Sequence, residues 1–73
     1  MPWKQDLAEL IRSRWRPGQN FTLRQVYEFE QDLRKSYPKN GHIRAKIRQT
    51  LQYLRAEGSI SFVDARGTYL RLR

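Results

Sequence analysis

A chain of 73 residues lies near the lower size limit for independent folding, and with no cysteine and one histidine it has neither disulfides nor Cys- or His-based zinc sites to brace its core. Fifteen Lys and Arg against seven Asp and Glu give a net charge of +8, a strong bias toward a polyanionic partner. No apolar run approaches transmembrane length and the N-terminus lacks a signal-peptide apolar segment, so a membrane-spanning or secreted protein is not expected.

The pattern from Pro2 to about Trp15 is helical. Pro2 suits a first helical turn, and Leu7, Leu10, Ile11 and Trp15 recur at three- and four-residue spacing. Arg12, Arg14 and Arg16 crowd the C-terminal end, where positive charge complements the helix dipole. Arg16-Pro17-Gly18-Gln19-Asn20 reads as a loop. A second helix follows, and its start is written in full: Thr22 as N-cap, Gln25 reaching back in a capping box, and Phe21 and Val26 at the two positions of a hydrophobic staple. The apolar pattern runs through Tyr27, Phe29 and Leu33 to Tyr37, where Pro38 forbids further helix. Lys39-Asn40-Gly41 is a turn, with Asn40 the expected cap of a third helix from Ile43 to Glu57, stopped by Gly58. Ser59 to Val63 and Thr68 to Leu72 then alternate like strands around the turn Asp64-Ala65-Arg66-Gly67, which predicts a β-hairpin with Tyr69 beside Phe62. A short strand at Phe21 to Leu23 could pair with it. The expected fold is α+β, a winged helix-turn-helix of three helices followed by a two-stranded hairpin wing, with residues 1–73 forming one DNA-binding domain.

The distribution of charge sharpens this. Between Asp32 and Glu57 there is no acid, yet the segment carries Arg34, Lys35, Lys39, Arg44, Lys46, Arg48 and Arg55. On a helical wheel the third helix turns Ile43, Ile47, Leu51 and Leu54 inward and Ala45, Gln49 and Gln52 outward, with Arg48 and Lys46 on the two shoulders. Gln can bond an adenine edge, Arg a guanine edge, and a small apolar side chain can meet a methyl group, so Ala45, Arg48, Gln49 and Gln52 form a candidate base-reading set. Singly, each is also an ordinary helix former on an exposed surface. Phosphate contacts are expected from Lys39, Asn40 and His42 in the turn, from Arg44, Lys46 and Arg55 on the helix, and from Arg66 at the wing tip. His42 reads equally as a turn or capping residue, and Arg66 as a turn residue in water. Trp3 and Trp15 are candidates for stacking or for core packing. There is no nucleophile–base constellation, Gly-rich phosphate loop or metal-ligand set, so no catalysis and no cofactor are expected.

The stretch Phe21-Thr22-Leu23-Arg24-Gln25-Val26-Tyr27-Glu28-Phe29-Glu30, then Tyr37-Pro38-Lys39-Asn40, then the run from Ile47 to Phe62, resemble the C-terminal winged-helix domain of the methyl-directed restriction endonuclease DpnI and its relatives. The resemblance covers about Phe21 to Leu72, and Ile47 to Gly58 is its most specific part. It implies recognition of GATC carrying N6-methyladenine, with Arg48, Gln49 and Gln52 reading bases and Ala45 near the methyl groups. The family pattern has proline where this chain has Ala45, an exchange that keeps a small apolar surface. It also implies a separate nuclease domain as partner, monomeric binding to double-stranded DNA, and a cytoplasmic, DNA-associated protein of prokaryotic or viral origin. The alternatives are a winged-helix transcriptional regulator with another DNA target, and a winged helix that binds protein.

Overall fold

The computed structural model describes residues 2–73. Helix α1 (Pro2–Arg14) is built on a four-residue stripe: Trp3, Leu7 and Ile11, continued by Trp15 beyond its end, are all buried. Both tryptophans therefore belong to the core. Trp15 stacks on Phe21 with centroids 4.6 Å apart, and Trp3 stacks on Tyr37 at the same separation. The Tyr37 hydroxyl donates to the Asp6 carboxylate, which fastens the end of the second helical segment to α1.

The loop after α1 leads into β1 (Asn20–Thr22), the short strand expected before the second helix. The capping box forms as the sequence predicts. Gln25 N donates to Thr22 Oγ1 at 3.1 Å and Thr22 N to Gln25 Oε1 at 2.9 Å. Beyond it the structure departs from one uniform helix: α2 (Leu23–Val26) passes through a 3-10 turn at Tyr27–Phe29 into α3 (Glu30–Ser36). Residues three apart eclipse in a 3-10 turn, whereas an α-helix offsets them by about 60°. The tighter winding thus suits Val26 and Phe29, both buried, sharing one inward face. Tyr37 ends the segment and Pro38 follows.

Asn40 does not cap the next helix, contrary to expectation. Its Oδ1 accepts from His42 N at 2.8 Å, closing an Asx turn, and His42 occupies the N-cap position without a side-chain cap. The side chain is two residues too early to reach the first helical amides. Helix α4 (Ile43–Ala56) buries Ile43, Ile47, Leu51 and Leu54, the predicted stripe, together with Thr50. Thr50 escapes the cost of burial because its Oγ1 donates to Lys46 O at 2.7 Å. Gly58, at φ +85°, ends α4 in a Schellman motif: Gly58 N donates to Arg55 O at 3.1 Å and Ser59 N to Leu54 O at 2.9 Å.

Strands β2 (Ile60–Asp64) and β3 (Thr68–Arg71) form the hairpin. It is not an isolated two-stranded wing: β1 joins it in an antiparallel sheet of order β1-β3-β2, so β3 is central. Phe21 and Phe62 both pair with Tyr69 across the strands, extending an aromatic row from Trp15 to the wing. Gly67 is required at the hairpin turn, with φ +85° and an added Cβ 3.4 Å from Leu23 Cβ. Its carbonyl accepts from Leu23 N at 2.8 Å, tying the wing turn to the start of α2. Among the described residues no helix is long and apolar enough to cross a membrane.

Candidate nucleic-acid interface

Helix α4 separates cleanly into an inner and an outer face because its apolar residues recur every three to four positions. Ala45, Arg48, Gln49 and Gln52 are all exposed, and their spacing puts them on one outward face. The structure therefore brings together the four residues expected to read bases. Ala45 sits in a shallow depression shared with Asn40, His42, Lys46 and Gln49. The Gln49 carbonyl accepts from Lys46 Nζ at 3.3 Å.

The two flanks of this face differ. On one, Lys46 is half-buried beside Gln49, and the turn residues Lys39, Asn40 and His42 lie at the N-terminal end of α4. With no side-chain cap and no acid in its first turn, that end presents the positive pole of the helix. On the other flank the arginines engage the second helical segment and the wing. Arg48 Nη1 donates to the Tyr27 hydroxyl at 2.8 Å. The Arg44 guanidinium lies over the Tyr27 ring, 4.9 Å from its centroid, and its Nε donates to Glu30 at 3.1 Å. Glu30 also accepts from Arg34 at 3.0 Å. The hydrogen bond from Arg44, aided by Arg34, holds the Glu30 carboxyl below the usual carboxylate range. Arg55 lies over the Phe62 ring at 4.6 Å, joining the end of α4 to the wing.

Arg66 is exposed at the wing tip, its backbone N–H donating to Asp64 Oδ1 at 2.8 Å. It shares a groove with Arg24, Tyr27, Glu28 and Arg44, on the wing side of α4. It does not join the depression around Ala45. The pairings that sequence reasoning missed are those of Tyr27 with Arg48 and Arg44 and of Glu30 with Arg44. No local signal reveals them, since the hydrogen-bonded partners lie 21 and 14 residues apart.

The arrangement has the parts a groove-entering helix needs: a rigid inner face, a polar outer face with one small apolar residue, and cations along its edges. Residues 4–71 match the family model described as the Dam-replacing HTH domain. That helix-turn-helix assignment implies double-stranded DNA as the partner and α4 as the second helix of the motif. With the match spanning nearly the whole sequence, the chain belongs to the Dam-replacing HTH domain family of DNA-binding domains.

Proposed function

We propose that residues 1–73 act as a monomeric, non-catalytic reader that places α4 in the major groove of GATC sites and recognises N6-methyladenine there, as the specificity module of a methyl-directed restriction endonuclease whose nuclease lies in a separate domain. The observation that carries this reading is the joint exposure of Ala45, Arg48, Gln49 and Gln52 on one face of α4, with Ala45 in a depression.

In a paired N6-methyladenine the remaining N–H is taken by thymine, so the methyl projects into the groove where an amide would otherwise find a donor. Ala45, with the stems of Arg48 and Gln49, offers that methyl an apolar surface. Burying one methyl contributes about 0.8 kcal/mol, so the two methyls of a GATC site give a preference of about tenfold. Arg48 suits the O6 and N7 acceptors of guanine, and Gln49 and Gln52 suit neighbouring edges. Lys39, Asn40, His42, Arg44, Lys46, Arg55 and Arg66 supply phosphate contacts. A single asymmetric domain on a palindrome must treat its two halves differently.

The test is affinity for unmethylated, hemimethylated and fully methylated GATC duplexes at one fixed salt concentration. The expected order rises with methylation, and equal affinities would remove the methyl reading. Selection from random sequence that enriches another site would instead favour a transcriptional regulator. Absence of DNA binding at low salt would leave a protein-binding winged helix.

A further inference from the structure

Tyr27 lies outside the recognition helix yet touches two of its arginines. Its hydroxyl accepts from Arg48 Nη1 at 2.8 Å, and its ring face carries the Arg44 guanidinium at 4.9 Å. The residue is itself well fixed. It begins the 3-10 turn, between the capping box and buried Phe29, and it is half-buried against the core. From this we infer that Tyr27 is a specificity-determining positioning residue: its hydroxyl orients Arg48 toward a base edge while its ring holds Arg44 on the phosphate flank. The inference rests on the DNA-reading function proposed above.

An exposed arginine on a helix samples many rotamers, and freezing them opposes any contact it makes. A guanidinium that already donates one N–H to a fixed phenol has fewer states to lose. Its remaining donors stay available to guanine O6 and N7, a contact that demands orientation as well as charge. The same phenol hydrogen remains free to donate in turn, because the hydroxyl uses only a lone pair toward Arg48. Arg44 differs. Glu30 takes its Nε edge and the ring takes its face, which fixes its place along the helix flank without aiming it at a base. One side chain thus serves the two kinds of contact through two different parts.

Conservative substitution separates these roles. Tyr27→Phe keeps the ring under Arg44 and removes only the hydroxyl. Its preference for the cognate over a scrambled duplex should fall about three- to tenfold, the weight of one hydrogen bond, with unchanged affinity for scrambled DNA and unchanged thermal unfolding. On an Arg48→Ala background the same change should cost nothing further. In the free protein, NMR of the Arg48 guanidinium should show hindered Nη rotation that becomes averaged in Tyr27→Phe. Tyr27→Leu removes the ring as well, so affinity for scrambled DNA should also fall and its salt dependence become shallower. If the parent protein discriminates between duplexes but Tyr27→Phe discriminates equally well, or its effect adds fully to that of Arg48→Ala, the positioning role is wrong while the reading face stands. If the parent protein discriminates between no duplexes, the reading function fails, and the positioning role fails with it.

Discussion

Two sets of arginines in this small domain resemble each other in sequence and differ in what the fold does with them. Around the end of α1, Arg14 pairs with Glu28 at 3.0 Å and lies over the Trp15 ring at 5.0 Å. Arg71, from the central strand, donates through Nη1 to the carbonyls of Arg12 and Trp15. These guanidinium groups close backbone acceptors and cover aromatic core. On α4, Arg44, Arg48 and Arg55 are also engaged by the protein, but each remains exposed. The contrast shows that a net charge of +8 overstates the positive surface available to a polyanion. Some of it is structural cement, and the arginines of α4 are held in place rather than loose.

Exchanging the two sets tests the distinction. The largest effect is expected from Arg48→Ala, which should cost about 1–3 kcal/mol of binding to the cognate duplex by loss of a base contact. Its unfolding temperature should not move in a thermal melt. Arg71→Ala should do the reverse. Leaving the carbonyls of Arg12 and Trp15 without their charged donor should cost about 1–3 kcal/mol of stability, read as a lower melting temperature, with DNA affinity retained when measured on the folded protein. Equal effects of both variants on both measurements would erase the comparison.

A smaller effect is expected from Glu30→Gln, which releases Arg34 and Arg44 from their shared carboxylate. Affinity for non-specific DNA should rise at low salt by at most about fivefold, as suits exposed ion pairs, and the advantage should vanish at high salt. Because the Glu30 carboxyl is held below its ordinary range by Arg44 and Arg34, these pairs persist through mildly acidic conditions and are lost as pH falls through that lowered value. The smallest effect concerns Tyr37. Its hydrogen bond to Asp6, first, and its burial push the phenol up to about 12. The raised value makes its contribution to stability complete below the ordinary tyrosine range near 10 and lost as pH rises toward 12. An ultraviolet absorbance titration should show a late-ionising tyrosine that Tyr37→Phe removes.

Much of the fold was legible because its punctuation is local. Thr22 and Gln25, Pro38, Gly58 and the stripe from Ile43 to Leu54 each state a boundary or a face within a few residues, and each is where those rules put it. The exceptions are of two kinds: side chains that choose a neighbouring backbone group other than the one expected, and partners distant in the chain. Asn40 was one case of a correct residue type in the wrong register, serving the turn rather than the helix. Thr50 reads as polar, yet its hydroxyl is satisfied one turn back and it joins the core. The arginines expected to settle the end of α1 are assisted by Arg71, 59 residues from Arg12. The outward set Ala45, Arg48, Gln49 and Gln52 was visible on a wheel, but the support from Tyr27 was not, since periodicity says nothing about which side chain of another helix lies alongside.

The order of the sheet has a consequence for how the protein is made. Strand β3 is the last element of this domain and the middle one in space, so neither β1 nor β2 has a partner strand until it arrives. A ribosome releases the helices first, with Phe21 and Phe62 still lacking Tyr69 between them. Completion of the domain therefore waits for Thr68–Arg71, and a nascent chain halted before that strand emerges would hold a complete α4 on an unfinished scaffold.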